Sequence, residues 1–227
     1  MNDMFIPLLI CFLSAYLIGA IPFGLLLARM HKIDLRQIGS GNIGATNVTR
    51  ALGRSWGITC FFLDALKGIL PVALALIWLK PKVLETGYSG QVFIWLWLGV
   101  GLLAIMGHVF PIYLGFRGGK GVATSFGVAL GIWPYYSSTA LIALVIWLIV
   151  LYRWKYVSLA SIAATIAFPL VLLIGIFMNP HWSLTELWPL ALTSMAIPTM
   201  VVLRHRSNIT RLRTGTENRI GNTSKEN

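Results

Sequence analysis

Apolar stretches of about 20 residues recur along this chain, and they restrict its fold more than any other feature of the sequence. Such a segment can cross a membrane as an α-helix, which satisfies its own backbone hydrogen bonds in lipid. We place spans near 4–28, 57–79, 91–113, 157–178 and 185–203. Hydrophobic residues make up 57% of the 227 residues and charged residues only 11%, which excludes a soluble globule of this size. The sequence predicts an all-α, polytopic membrane protein.

The stretch from 121 to 152 is too long for one span. As a single helix it would measure about 48 Å, against about 30 Å for the hydrocarbon core of a membrane. The run Trp133, Pro134, Tyr135 and Tyr136 lies near its middle. Proline beside aromatic residues is typical of a turn at the membrane surface. We therefore predict two short spans here and seven transmembrane helices in total.

The basic residues indicate how these helices are oriented. The chain has 18 Lys and Arg against 7 Asp and Glu, which gives a net charge of +11. With the N-terminus outside and the C-terminus cytoplasmic, Lys80 and Lys82 fall in outer loops, Lys67 falls within a span, and all other basic residues lie inside. Cytoplasmic loops carry the excess of Lys and Arg in membrane proteins, so the charges predict this orientation. They give no reason to expect nucleic acid as a partner.

We expect one integral-membrane domain over residues 1–213. Residues 214–227 are polar and show no apolar period, so they are predicted to form a disordered cytoplasmic tail. Cys11 and Cys60 lie in apolar stretches without the spacing of metal ligands. We therefore expect no metal site and no cofactor.

Three glycine-rich or basic segments interrupt the apolar chain, and in the predicted topology all three lie at the cytoplasmic ends of the helices. Glycine lets backbone N–H groups approach an anion, and Arg or Lys neutralises the charge of that anion. This composition favours a phosphorylated substrate, although the first segment alone could be a flexible turn capped by Ser and Asn. The candidate binding residues of the first segment are Gly39, Ser40, Gly41, Asn42, Thr46, Asn47 and Arg50.

The second segment, residues 115–121, places four glycines around two cations. It is not a Walker A loop, because Gly121 rather than Ser or Thr follows Lys120, and nucleotide hydrolysis is therefore disfavoured. A cytoplasmic hairpin that carries the usual excess of Lys and Arg would explain the two cations but not the four glycines. We therefore favour anion binding. The candidate residues are Arg117, Gly118, Gly119, Lys120 and Gly121.

The third segment follows the last span. His205 and Asn208 are three residues apart, so on a helix both can face one point beside Arg204. A neutral His205 could form a hydrogen bond with a substrate, or it could serve only the structure. Asp64, Lys67 and His108 lie in or at the ends of spans, where charge is costly, and the sequence leaves open whether they are structural or functional.

Familiar catalytic motifs are absent from the sequence. It contains no Gly-x-Ser-x-Gly, no His-Glu-x-x-His, and no His followed five residues later by Asp. Catalysis would have to depend on positioning, electrostatics or the substrate itself. A membrane transporter of an organic phosphate is the alternative, but transporters place their polar residues near the midplane and often show two repeated halves.

Six motifs, in this order along the chain, resemble those of the bacterial acyl-phosphate:glycerol-3-phosphate acyltransferases of the inner membrane. The resemblance extends from about residue 5 to about residue 213. The motifs are Ile-Pro-Phe-Gly at 21–24, Gly-Ser-Gly-Asn-Ile-Gly-Ala-Thr-Asn-Val-Thr-Arg at 39–50, Leu-Asp-Ala-Leu-Lys-Gly at 63–68, Gly-His at 107–108, Gly-Phe-Arg-Gly-Gly-Lys-Gly-Val-Ala-Thr at 115–124 and His-Arg-Ser-Asn-Ile at 205–209.

The resemblance implies a seven-helix enzyme that transfers a fatty acyl group from acyl phosphate to the 1-hydroxyl of glycerol 3-phosphate, giving lysophosphatidic acid and phosphate. The donor would be neither acyl-CoA nor acyl carrier protein, and the donor's own phosphate would take the hydroxyl proton. Besides membrane lipid and the two substrates, a soluble enzyme that makes acyl phosphate is one possible partner at the cytoplasmic face. The implied active-site residues are Ser40, Arg50, Lys120, His205 and Asn208, with Gly41 and Asn42 in the surrounding loop.

Overall fold

The computed structural model describes residues 2–221, and within that range the chain forms helices and no strands. Short 3₁₀ turns occupy Leu35–Gln37 and Ile112–Leu114. The α-helices are α1 (Asn2–Gly19), α2 (Phe23–Met30), α3 (Ala45–Leu52), α4 (Arg54–Glu85), α5 (Gly90–Val109), α6 (Val122–Gly131), α7 (Tyr135–Trp154), α8 (Val157–Met178), α9 (Leu184–Arg204) and α10 (Arg206–Arg213). The prediction of an all-α membrane protein is confirmed.

Five helices of the described chain are long and apolar enough to cross a membrane, namely α4, α5, α7, α8 and α9. The span predicted near 4–28 is instead two helices, α1 and α2, which meet at an angle of 42° and would make a sixth span together. The bend has a local cause, because Pro22 lacks a backbone N–H and disfavours the helical conformation of Ile21 before it.

The predicted turn within 121–152 is present, since α6 ends at Gly131 and α7 begins at Tyr135. With 10 residues, α6 is about 15 Å long, half the thickness of the hydrocarbon core. Helix α6 is apolar but too short to count as a span by length, so the count of seven transmembrane helices stays a prediction.

The chain divides into two compact units, Met1–Ser137 and Ser138–Asn227. In the first unit, glycines bring helix backbones into direct contact. A methyl group at Gly127 of α6 would lie 2.7 Å from the carbonyl carbon of Ala65 in α4, and one at Gly107 of α5 would lie 2.8 Å from the backbone nitrogen of Ala20, next to α1. Small residues at helix crossings are how membrane helices pack closely. These contacts fix α6 beside α4, and α5 beside α1.

A small apolar core lies beneath the loop between α2 and α3. Leu35 and Val48 have no exposed surface, and they pack with Leu25, Leu27, Ile43 and Cys60. The core joins α2, the loop, α3 and the start of α4. It therefore holds a polar, glycine-rich loop on an apolar base.

In the second unit, α8 packs against α9, and residues 214–221 fold back toward the start of α8. The backbone N–H of Ile220 donates to the carbonyl oxygen of Lys155 over 2.8 Å, and Arg219 donates to the hydroxyl of Tyr156 over 2.8 Å. This part of the predicted tail has defined contacts. The rest of that tail, 222–227, lies outside the described residues.

Candidate functional site

Asn47 organises the loop that carries Ser40. Its side chain is only 2% exposed, and its amide nitrogen donates to the carbonyl oxygens of Leu35 and Ile38, each over 3.0 Å. Its amide oxygen accepts from the backbone N–H of Ser40 over 3.1 Å and lies 3.4 Å from the Ser40 hydroxyl oxygen. The sequence suggested Asn47 as a substrate-binding residue, but in the structure its amide fixes the backbone around Ser40.

Two glycines give the same loop its path. Gly39 and Gly41 have φ angles of +55° and +65°, which side chains rarely tolerate. A methyl group at Gly39 would lie 2.7 Å from the amide oxygen of Asn47 and 3.3 Å from Cδ of Arg50. The Arg50 side chain therefore lies against the backbone just before Ser40, although the two residues are ten positions apart.

The remaining candidates of this loop occupy its rim. The amide oxygen of Asn42 accepts from the backbone N–H of Gly44 over 2.9 Å, so Asn42 forms the turn that leads into α3. Thr46 is exposed on the first turn of α3, and Ser40 is exposed as well. Of the first segment, the structure thus brings together Ser40, Asn47 and Arg50.

The second loop, residues 115–121, is folded against the end of α5. The backbone N–H groups of Gly118 and Gly119 donate to the carbonyl oxygens of Val109 and His108 over 3.2 and 3.1 Å. A methyl group at Gly119 would lie 2.8 Å from Cε1 of the His108 ring. The sequence suggested that these glycines bind an anion, whereas the structure shows them allowing the loop to pack on α5.

Lys120 follows at the start of α6. Gly121 has a φ of +86° and is the residue that precedes the first turn of this helix. The N-terminus of a helix presents unsatisfied N–H groups and a partial positive charge. Arg117, three residues before Lys120, is exposed. This end of α6 is therefore electropositive and suited to an anion.

In the second unit, His205 is buried between α9 and α10. Its Nδ1 lies 2.8 Å from the carbonyl oxygen of Val201. A carbonyl oxygen only accepts hydrogen bonds, so Nδ1 must carry the hydrogen. In a neutral ring, Nε2 is then a hydrogen-bond acceptor. Arg204, the last residue of α9, directly precedes His205 in the chain.

A buried carboxylate holds Asn208. One oxygen of Glu217 accepts from the Asn208 amide and from the Ser158 hydroxyl, both over 2.7 Å, and the other accepts from Arg211 over 2.7 Å. Burial by itself would raise the pKa of Glu217, but the hydrogen bonds from Asn208, Ser158 and Arg211 outweigh it and hold the pKa below its ordinary value. Glu217 is therefore ionised at neutral pH.

Sequence reasoning missed Glu217 and Ser158, both within the second unit. A lone acidic residue in a strongly basic segment was the available signal for Glu217. Nothing in the sequence indicated Ser158, which lies 59 residues earlier. Among residues 2–221, no three His, Cys, Asp or Glu side chains are grouped so that they could hold a metal ion.

The helices and loops together define a polytopic membrane protein whose polar loops present Ser, Arg and Lys on glycine-shaped backbones. The chain belongs to the glycerol-3-phosphate acyltransferase family, whose family model matches residues 9–215. The resemblance inferred from the six motifs is thus confirmed.

Relatives cover nearly the whole chain. The glycerol-3-phosphate acyltransferase of Aquifex aeolicus (strain VF5) is 42% identical over 206 residues, which are 90% of this chain and 95% of the relative. That of Geotalea daltonii is 44% identical over 212 residues, 92% of this chain and 96% of the relative.

Solved structures agree with the relatives. A crystal structure of PlsY (YgiH), an integral membrane glycerol 3-phosphate acyltransferase in its glycerol 3-phosphate form, superposes with a TM-score of 0.78 at 40% identity, covering 95% of this chain and 96% of PlsY. The lysophosphatidic acid form of PlsY gives a TM-score of 0.76 at 39% identity over the same shares.

Proposed function

We propose that this protein transfers a fatty acyl group from acyl phosphate to the 1-hydroxyl of glycerol 3-phosphate. The hydroxyl oxygen forms a bond to the acyl carbon while the bond from that carbon to the phosphate oxygen breaks. The products are lysophosphatidic acid and inorganic phosphate, which leaves with the hydroxyl proton. Membership of the glycerol-3-phosphate acyltransferase family supports the acceptor, and the lysophosphatidic acid form of PlsY supports the product.

The arrangement of Ser40 and Arg50 is the observation that carries this proposal. Arg50 lies against Gly39, and the buried Asn47 holds Ser40 beside it. A guanidinium group pairs well with phosphate oxygens, and a hydroxyl gives a directional hydrogen bond. We assign phosphate binding to Arg50 and orientation of the substrate to Ser40. Gly39, Gly41, Asn42 and Thr46 shape the rim of this loop.

Lys120 supplies a second cation, at the N-terminus of α6. Both substrates carry a phosphate, so two separate electropositive loops match the chemistry. We assign phosphate binding to Lys120, with Arg117 and Gly121 beside it. Gly118 and Gly119 keep the loop close to α5, since their N–H groups donate to α5 carbonyl oxygens.

His205 and Asn208 would orient the acceptor. Because Nδ1 of His205 donates to the Val201 carbonyl oxygen, Nε2 can accept a hydrogen bond from a glycerol hydroxyl. The amide nitrogen of Asn208 donates to Glu217, which fixes the orientation of this side chain. Arg204 adds positive charge next to His205.

No side chain needs to act as a strong base in this reaction. An acyl phosphate is already activated, and its phosphate oxygens can take the hydroxyl proton as the phosphate leaves. The protein then contributes by orienting the two substrates and by balancing their negative charges. The absence from the sequence of a His-x₄-Asp pair agrees with such a substrate-assisted mechanism.

We also propose seven spans in the bacterial inner membrane, with the N-terminus outside and the active site facing the cytoplasm. The distribution of Lys and Arg supports this topology, which counts α6 as a short span. The acyl chain of the donor would then lie among apolar helices while its phosphate reaches the basic loops. A soluble enzyme producing acyl phosphate would meet the protein on that side.

Release of inorganic phosphate tests the reaction. Purified protein in detergent would receive palmitoyl phosphate with and without glycerol 3-phosphate. Lys120→Ala tests the site, and Lys80→Ala, which removes an exposed cation of α4, is the matched control. We expect release that requires both substrates, persists in Lys80→Ala and is lost in Lys120→Ala.

Two results would contradict the proposal. One is formation of lysophosphatidic acid from palmitoyl-CoA and glycerol 3-phosphate as fast as from palmitoyl phosphate, which would overturn the choice of donor. The other is a folded protein that releases no inorganic phosphate but takes up glycerol 3-phosphate when it is reconstituted into vesicles. That result would favour transport.

A further inference from the structure

A buried ionisable cluster lies inside the first unit and takes no direct part in the reaction proposed above. The carboxylate oxygen Oδ1 of Asp64 is 2.8 Å from the Lys67 ammonium and 3.7 Å from Nδ1 of His108. The three side chains are between 2% and 5% exposed. Ionisable groups inside a membrane span are expensive, so their presence calls for a role.

One side of the cluster is tied to the loop that carries Ser40. Lys67 donates to the carbonyl oxygen of Ile21 over 2.8 Å, at the bend between α1 and α2. Three residues on, Gly24 packs so closely that a methyl group there would lie 3.0 Å from the carbonyl carbon of Ile43. Ile43 belongs to the loop of Ser40. The ammonium of Lys67 thus holds the start of the helix on which this loop rests.

The other side of the cluster is tied to the loop that carries Lys120. The His108 ring packs against Gly119, and the carbonyl oxygen of His108 accepts from the Gly119 N–H over 3.1 Å. Beyond Lys120, α6 is fixed to the same stretch of α4, since a methyl group at Gly68 would lie 2.9 Å from the backbone nitrogen of Val128. The loop of Lys120 is therefore held on both sides by groups at or next to the cluster.

We infer that Asp64, Lys67 and His108 are positioning residues that set both substrate loops around the Asp64 carboxylate of α4. The inference rests on the proposed function, in which Ser40 and Arg50 act from one loop and Lys120 from the other. Asp64 joins the two arms, because the same carboxylate oxygen faces both Lys67 and His108. A displacement of about 1 Å in a substrate-positioning group can lower a rate by about 10²-fold.

The test separates positioning from charge balance. Asp64→Asn leaves the Lys67 charge buried without its carboxylate, so we expect a lower melting temperature. The double variant Asp64→Asn with Lys67→Met removes both charges, so we expect its melting temperature to recover. Its kcat/KM for glycerol 3-phosphate should nevertheless stay at least about tenfold below that of the unaltered protein, because neither loop is held.

Trp97→Phe is the matched control. It removes a buried hydrogen bond of 2.8 Å between the same two helices, from Trp97 of α5 to the carbonyl oxygen of Val72 in α4. Trp97 lies eleven residues before His108 on α5, about 16 Å away along the helix. We expect this variant to lose stability but to keep its kcat/KM.

Amide hydrogen exchange provides a readout that does not depend on activity. In the double variant we expect the Gly118 and Gly119 amides, and those of residues 38–44, to exchange at least about tenfold faster, with no such change in Trp97→Phe. Unchanged exchange in both loops would overturn the inference whatever the activity. Recovery of both stability and kcat/KM in the double variant would also overturn it, whereas inactivity of the unaltered protein would count only against the proposed function.

His108→Gln is the second variant, because it introduces no uncompensated charge. We expect faster exchange of the Gly118 and Gly119 amides and a kcat/KM for glycerol 3-phosphate at least about tenfold below that of the unaltered protein. Residues 38–44 should exchange as before, since the Lys67 arm is intact. Normal exchange at Gly119 in this variant would contradict the assignment of His108.

Discussion

Two asparagines show how differently the two units hold their candidate site residues. Within residues 2–221, the Asn47 side chain is bound by uncharged groups alone, donating to the backbone carbonyl oxygens of Leu35 and Ile38 and accepting from Ser40. Asn208 is bound by a carboxylate, which it shares with Ser158 and Arg211. Both side chains are nearly buried, at 2% and 4% exposed.

The difference teaches that one residue type can anchor a loop in two ways with different weaknesses. Hydrogen bonds to an ionised group are roughly twice as strong as neutral ones, but they require the charge to be present. The neutral anchor at Asn47 depends instead on geometry, because one amide must reach three backbone groups. The anchor at Asn47 should therefore be sensitive to shape and the anchor at Asn208 to charge.

The largest effect on stability is expected from Glu217→Ala. It leaves the buried donors of Ser158 and Asn208 without their acceptor, which should lower the free energy of unfolding by about 3 kcal/mol or more. Thermal unfolding in detergent measures this loss, and acyl transfer should fall with it. Glu186→Ala removes an exposed carboxylate of α9 and serves as the control. Equal melting temperatures for the two variants would contradict the charged anchor.

The next effect is expected from Asn47→Asp. The change keeps the oxygen that accepts from Ser40 but places a second oxygen 3.0 Å from two carbonyl oxygens, where the structure has a donor. We expect a loss of about 1–3 kcal/mol and a marked fall in kcat. Asn179→Asp is the matched control, since the Asn179 amide oxygen accepts from the backbone N–H of His181 and its amide nitrogen donates to no group in the described part of the chain. An Asn47→Asp variant with unchanged stability and unchanged kcat would show that the amide donor is dispensable.

A smaller effect is expected from Gly39→Ala. A side chain at a φ of +55° costs about 1–2 kcal/mol, and the new methyl group would press on Asn47 and Arg50. Gly87 has a similar φ of +76°, and a methyl group there would have no described atom within 4 Å apart from its chain neighbours, so Gly87→Ala measures the conformational cost alone. Gly39→Ala should therefore lose more stability than Gly87→Ala, and only Gly39→Ala should lose activity. Equal activities would mean that Arg50 and Ser40 tolerate displacement.

The smallest effect concerns pH. Folding lowers the pKa of Glu217 below its ordinary value of 4.5, so its contribution to stability is complete above that value and is lost as the pH falls through the folded-state pKa. The difference in melting temperature between the unaltered protein and Glu217→Gln should therefore shrink on acidification. The corresponding difference for Asn47→Ala should stay level over the same range, because its side-chain partners among the described residues are uncharged groups of Leu35, Ile38 and Ser40. A difference for Glu217→Gln that grows at low pH would reverse the assigned direction.

Much of the architecture could be predicted from the sequence, because span length and apolar composition are local properties. The break before Tyr135 followed from the length of the 121–152 stretch and from Pro134. The bend at Ile21–Pro22 was missed, although the proline was visible, because the apolar run continues through it. The six motifs were enough to identify the family, because their order and spacing along the chain are specific to it.

The roles within the loops could not be predicted in the same way. Composition grouped Asn47, Gly118 and Gly119 with the substrate-binding residues. In the structure Asn47 binds the backbone, and the two glycines pack on the end of α5. A polar residue looks the same in a sequence whether its partner is a substrate or a carbonyl oxygen.

By itself, the sequence determined that the chain is a bundle of membrane helices with basic, glycine-rich loops, since these properties depend on residues close together along the chain. Only the tertiary structure decided which groups hold those loops. Lys67 meets Ile21 across 46 positions and Ser158 meets Glu217 across 59, and no local pattern specifies such partners. The packing of the helices selects them, because a buried polar group must find a partner wherever the fold brings one.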